Sequence, residues 1–246
     1  GGEPSVRTLL GRLAGAGGPL GREILADPAV SSMPVGPAIA ELRRRRLVVS
    51  APLDGAVAFD VYHARVRDVI VSDLEAASRR GHHAALAGAI ERVRPGDDAA
   101  LATHHTGAGD LARAYGHVVR AATTATGALA FERAAGWYRT ALELAPAIGI
   151  DAADVATLEV ALGETLAAVG RLPEAAAVLQ RAAARGSGPS GEDEGAGELR
   201  RRAAELLLES GHLEQGLTLL RAELRAVGLA EPASGRRALA GLLWAR

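Results

Sequence analysis

The chain has 246 residues, 48% hydrophobic and 23% charged, with a formal net charge of −1, which allows one large domain or two small ones. All 28 basic residues are Arg and neither Lys, Asn nor Cys occurs. That excludes a Walker A loop, a kinase phosphate-binding Lys, a Schiff-base Lys, a disulfide, a thiolate zinc site and a thiol nucleophile. With only 3% aromatic residues, the core must be built from Ala, Leu and Val.

In chain order, the spacing predicts a helix over Ser5–Leu13. A second helix, Leu20–Leu25, opens at Pro19, whose missing N–H costs nothing at a first helical position. A third, Ala38–Arg46, follows Pro34 and Pro37. Leu47-Val48-Val49 and Val57-Ala58-Phe59 are β-prone runs separated by Asp54-Gly55, a hairpin turn signal. Three helices and then a hairpin is the winged-helix order. Tyr62–Leu74 and Ala76–Val93 read as two further helices.

From residue 98 onward the periodicity is helical throughout, and it repeats. Ala134, Ala175 and Gly216 lie 41 residues apart, as do Tyr138, Leu179 and Leu220, then Phe131, Leu172 and Leu213, then Ala122, Gly163 and Ala204. Small residues fall where two helices must approach closely, and larger apolar ones where the gap must be filled. This register resembles the tetratricopeptide repeat. One copy is Leu162-Gly163, Leu166-Ala167, Gly170-Arg171-Leu172, Ala175, Leu179, Ala182. Another is Ala204, Leu207-Leu208, Gly211-His212-Leu213, Gly216, Leu220, Leu224. A third has Phe131, Ala134, Tyr138, Ala141-Leu142 and Pro146 but no Gly-Asp turn, and the family's helix-A Trp is missing from all three. The usual period is about 34, and the roughly 7 extra residues are expected in the connections, at Ala147–Asp154 and in the loop Gly186–Gly197.

The whole order also resembles one group: the region that follows the nucleotide-binding core of bacterial STAND-type signalling ATPases, often fused to PknK-like serine/threonine kinases, adenylate cyclases or LuxR-type regulators. The residues that carry this are Leu42-Arg43, Arg46-Leu47-Val48, Tyr62-His63, Arg65, Arg67-Asp68, His82 or His83, His104 and Gly109-Asp110. Ala64 departs from the family, which usually has Asp there. The resemblance implies a mainly α chain: a winged-helix-like domain over 1–72, connecting helices over 73–109, and a tetratricopeptide-like α-solenoid over 110–246. It also implies that the ATP-binding residues lie upstream of this chain. The opening Gly1-Gly2-Glu3 and the closing Leu242-Leu243-Trp244-Ala245-Arg246, which stops within an apolar helical pattern, fit a piece of a longer polypeptide.

Each chemical signal has a plain alternative. Gly15-Ala16-Gly17-Gly18-Pro19-Leu20-Gly21 could cradle phosphate, but it lacks GxGxxG spacing and follows a helix pattern, so it reads as a turn. Arg43 and Arg46, in the run Arg43-Arg44-Arg45-Arg46, are candidate phosphate contacts. Successive helical residues diverge by about 100°, and Val35-Gly36-Pro37-Ala38-Ile39 offers no side-chain donor for base readout. His82-His83 and His104-His105 lack the i, i+4 spacing of metal ligands, so hydrogen-bonding roles are expected. Tyr62, His63, Arg65, Arg67 and Asp68 form a candidate interdomain contact, with Asp68 pairing to Arg65 at i, i+3. Ser187–Ser190 lies in a loop, the wrong place for a preorganised nucleophile. The remaining surface is a concave, mixed acidic groove of Val119, Thr123, Val160, Glu164, Glu198, Arg201, Glu205 and Leu208, suited to a basic protein partner.

The expectation is a non-catalytic regulatory and interaction segment with no catalytic, cofactor or metal site. It binds a protein partner or the upstream ATPase domain. The alternatives are a winged-helix DNA-binding regulator and a stand-alone hydrolase with a buried carboxylate or His cluster. DNA binding is disfavoured, because residues 1–96 carry 13 Arg against 10 acids and residues 97–246 carry 15 against 19, no strong basic excess. No apolar run approaches the ~20 residues that span a bilayer, and no signal peptide opens the chain; with the absence of Cys, this fits a cytoplasmic location.

Overall fold

The computed structural model describes residues 3–53, 55–186, 194–226 and 228. They are mainly helical, with twelve helices and one small three-stranded sheet. Among them no helix is long and apolar enough to cross a membrane. By packing, the chain divides into two units, Gly1–Ala121 and Ala122–Arg246.

The first unit runs α1 (Glu3–Gly15), β1 (Leu20–Gly21), α2 (Arg22–Leu25), α3 (Val35–Arg44), β2 (Val48–Leu53), β3 (Ala56–Val61), α4 (Ala64–Asp73), α5 (Ala76–Val93), α6 (Asp98–Ala108) and the start of α7 (Leu111–Gly127). The hairpin forms where the β-prone runs predict it, with Val48 opposite Val61 and Leu53 opposite Ala56. Gly55 takes φ 78° in its turn, a left-handed value that glycine adopts without a steric cost. Its turn partner Asp54 lies outside the described residues.

The helix expected over Leu20–Leu25 begins as a strand and is helical only from Arg22. Leu20 and Gly21 pair antiparallel with Phe59 and Ala58, giving the sheet order β1-β3-β2. The open edge of β3 offers backbone groups that need partners, and Pro19 suits a strand start but not a helix interior. The third helix begins three residues before the expected Ala38. Pro34 occupies its cap and Pro37 falls in the first turn, where backbone N–H groups are unpaired anyway. It also ends early, because Arg46 turns left-handed at φ 55°.

Leu9, Leu13, Ile24, Leu25, Leu42, Leu86, Ile90 and Leu101 form one buried cluster. Each contributes about 1.5–3 kcal/mol by leaving water. The helices expected only to connect, α5 and α6, supply Leu86, Ile90 and Leu101 to it.

The second unit holds α8 (Phe131–Ile148), α9 (Ala152–Ala168), α10 (Leu172–Gly186), α11 (Glu194–Glu209) and α12 (Leu213–Ala226), each packed on its chain neighbour. The 41-residue period recurs in the backbone. Leu129, Gly170 and Gly211 all take positive φ, at 57°, 79° and 83°. The next residue in each turn donates its N–H to a carbonyl five residues back: Ala130 to Ala125 at 2.8 Å, Arg171 to Leu166 at 2.9 Å and His212 to Leu207 at 2.8 Å. This bond closes the helix end and reverses the chain.

Small residues do the rest. A Cβ on Gly163 would lie 2.6 Å from Leu179 Cδ2, and one on Gly216 would lie 2.7 Å from Leu208 Cγ. The expected connection 147–154 is shorter than predicted. α8 runs to Ile148 and α9 starts at Ala152, capped by Asp151, whose side chain accepts from Asp154 N at 2.8 Å. The period is spent instead on helices of 17 and 18 residues. Within the expected loop 186–197, residues 186 and 194–197 are helical. Its remainder 187–193, with Ser187–Ser190, lies outside the described residues, as does the expected helix at Leu242–Arg246.

Candidate functional site

The densest polar constellation lies in the first unit, where α5, α6 and the first turns of α7 bring histidines together. Its local frame is set by caps. The Asp97 side chain accepts from Ala100 N at 3.2 Å and starts α6. Gly109, at φ 83°, ends that helix, and Asp110 starts the next by accepting from Arg113 N at 3.2 Å. The tight turn carries the Asp110 carboxylate back to 3.7 Å from Nδ1 of His105.

His105 is buried, and its Nε2 lies 3.0 Å from Oε1 of Glu91 on α5. Its ring stacks on that of His117 from α7, with centroids 5.4 Å apart and an interplanar angle of 5°. His117 Nδ1 is 2.8 Å from Asp98 Oδ1 in the first turn of α6. Arg120 donates Nε to the same oxygen at 2.9 Å and places Nη2 2.7 Å from His117 Nδ1. The ligand atoms offered by Glu91, His105 and His117 lie within 4.8 Å of one another.

A second histidine group adjoins on the same helices. Nδ1 of His83 and Nδ1 of His104 are 3.0 Å apart, a contact that requires one to donate and the other to accept. Burial, then the neighbouring His83 and His105, push the His104 pKa down to about 4. Burial also lowers His83, and burial followed by Arg12 and His83 lowers His82. Glycines make room for two of these rings: a Cβ on Gly107 would lie 2.5 Å from His83 Cγ, and one on Gly11 would lie 2.7 Å from His82 Cε1.

The residues singled out from sequence are dispersed. Arg43 and Arg46 are exposed at the end of α3, while Glu41 pairs with both Arg44 and Arg45. Tyr62 and His63 touch edge to face at 5.2 Å, but Tyr62 is exposed and the His63 side chain forms no cap bond to α4. The expected Arg65–Asp68 pair does not form; Arg67 instead pairs with Asp60 and ties α4 to β3. An i, i+3 pair on an exposed helix face is worth only a few tenths of a kcal/mol, too little to hold two side chains together. Arg67 and Asp68 do line a pocket of about 400 Å³ together with His82 and His83.

The groove residues fall on α7 (Val119, Thr123), α9 (Val160, Glu164) and α11 (Glu198, Arg201, Glu205, Leu208). Their acids are largely compensated within the fold. Arg201 pairs with Glu198 and Glu205, and Arg202 bridges Glu205 at 3.5 Å and Glu164 at 3.8 Å. Sequence reasoning missed Glu91, Asp98 and His117 altogether. They sit on three different helices at no motif spacing, so only packing assembles them. No family model, curated protein or solved structure matches this chain.

Proposed function

We propose that this chain is a non-catalytic regulatory and interaction segment of a cytoplasmic signalling ATPase of the STAND type. In this reading helical repeats receive a protein partner and a winged-helix-like N-terminal part restrains an upstream nucleotide-binding core. Binding on the repeats shifts that restraint by favouring one of two arrangements. The observation that carries the reading is the turn recurring every 41 residues at Leu129, Gly170 and Gly211, with the same helix-closing hydrogen bond each time. Stacked helix pairs of equal length build extended docking surfaces and need no catalytic group.

The N-terminal order α1-β1-α2-α3-β2-β3, with β1 on the edge of the hairpin, supports the winged-helix-like assignment. A groove of about 900 Å³, lined by Val6, Leu10 and Met33 along with Glu41, Arg44 and Arg45, gives this part a face for an adjoining domain. The start of α3 disfavours DNA readout, since Val35, Ala38 and Ile39 are buried and so unavailable to bases.

Two assays test the proposal. The isolated chain, titrated with fluorescent ATP and with duplex DNA at physiological ionic strength, binds neither. In a polypeptide extended upstream to include the nucleotide-binding core, Arg201→Glu changes ATP turnover. Stoichiometric ATP binding by this chain alone sinks the proposal, and so does salt-sensitive duplex binding that Arg43→Ala and Arg46→Ala abolish.

A further inference from the structure

We propose that Glu91, His105 and His117 form a binding site for a single divalent transition-metal ion of the Zn²⁺ class, which clasps α5, α6 and α7 together. Two imidazoles and a carboxylate are a donor set that Zn²⁺ favours, and three protein ligands leave one coordination position open. Tetrahedral bonds of about 2.0 Å place ligand atoms about 3.3 Å apart. His105 Nε2 and Glu91 Oε1 already stand 3.0 Å apart, and all three donors fall within 4.8 Å. Glu91 and His117 are only partly buried, so small side-chain rotations close the remaining gap.

The surroundings match as well. Metal-bound histidines typically donate their other ring N–H to a carboxylate, which fixes the tautomer and raises ligand basicity. Here His117 Nδ1 lies 2.8 Å from the Asp98 carboxylate, with Arg120 Nη2 2.7 Å from the same nitrogen, and the Asp110 carboxylate stands 3.7 Å from His105 Nδ1, a charge neighbour rather than a hydrogen-bond partner. His105 turns Nε2 toward Glu91. Without metal, the short His105–Glu91 contact is bridged by the imidazole proton, in the position the ion would take.

The charge around the site also favours a dication. Glu91, Asp98 and Asp110 supply three carboxylates against the guanidinium groups of Arg113, 3.5 Å from Asp110, and Arg120, 2.9 Å from Asp98. The adjacent Arg92 makes two hydrogen bonds to Asp27, both 2.8 Å long. The site concerns the first unit alone and does not depend on the docking reading of the repeats.

The test is calorimetric titration of the chelator-treated chain with Zn²⁺, alongside thermal unfolding. One equivalent binds, and the unfolding midpoint rises with Zn²⁺ but not with Mg²⁺, which prefers oxygen ligands. His117→Gln and Glu91→Gln, both at partly exposed positions, abolish the one-equivalent binding while circular dichroism stays helical. Asp98→Asn weakens binding by about 10–100-fold. His63→Ala, at an exposed histidine remote from the cluster, leaves it intact. Absence of saturable Zn²⁺ binding overturns the proposal, as does undiminished binding by His117→Gln.

Discussion

Both units use glycine to let helices approach, but they fill the resulting holes differently. In the second unit Gly163 faces Leu179 and Gly216 faces Leu208. In the first, Gly11 faces His82 and Gly107 faces His83. The steric logic is the same and the chemistry is opposite. A leucine in such a hole has no protonation state, and its contribution is set by volume. An imidazole brings nitrogens that must be paired or kept neutral, so packing becomes tied to pH. The helices that pack around leucine read as scaffold, while those that pack around histidine also carry the only group of three metal-ligating side chains found among the described residues.

Filling a hole is the most direct way to break this comparison. Gly163→Val drives methyl groups into Leu179, which is fully buried, and toward the Ala175 carbonyl, 3.5 Å from where the new Cβ would sit. It should cost about 3 kcal/mol by urea denaturation. Gly107→Val should be comparably damaging to the first unit, since the His83 ring has equally little room.

Emptying a hole comes next. Leu179→Ala removes a fully buried side chain and should cost roughly 2–3 kcal/mol, with the same loss at acid and neutral pH. A loss that varied with pH would mean that the second unit also depends on a titrating group.

The pH response itself sharpens the contrast. Burial holds His82 and His83 below the ordinary value of 6.5. The unfolded chain therefore binds more protons than the folded one as the medium is acidified. Their contribution to stability is complete above about 6.5 and falls away as pH drops toward the folded values, by at most about 1.4 kcal/mol per pH unit for each ring. His83→Leu should flatten that slope in the first unit. Measuring chemical denaturation from about pH 7.5 down to about 4.5 checks this, and an unchanged slope in His83→Leu counts against it.

The smallest effect concerns the repeat turns. Leu129 stands where Gly170 and Gly211 occupy the same turn, and its side chain is 72% exposed at φ 57°. A leucine there bears left-handed strain for little packing return. Leu129→Gly should raise stability by about 0.5 kcal/mol, seen as a small increase in Tm.

How much of this was legible in the sequence depended on range. The turns at Gly170 and Gly211, the small residues at 163, 175 and 216, and the helix Ala76–Val93 follow from neighbours within a few positions. The hairpin was equally visible, because alternation and Gly55 are local signals. Residues 20 and 21 were misread because two residues carry no periodicity, and their strand exists only through β3, nearly forty positions away. The Arg67–Asp60 pair was missed for a similar reason: Asp60 belongs to a strand and Arg67 to the helix after it. The groove's Arg201 was visible beside Glu198 and Glu205 in the sequence, but the reach of Arg202 on α11 to Glu164 on α9 was not.

By itself the sequence determined a Lys-free and Cys-free helical chain, the 41-residue period and the positions of the reversing turns, since composition and short-range spacing suffice for these. Only the tertiary structure decided the third strand and the meeting of Glu91, His105 and His117. Each of these rests on helices or strands packing across distances where the chain carries no local signal, and the geometry of a ligand set is a property of that packing.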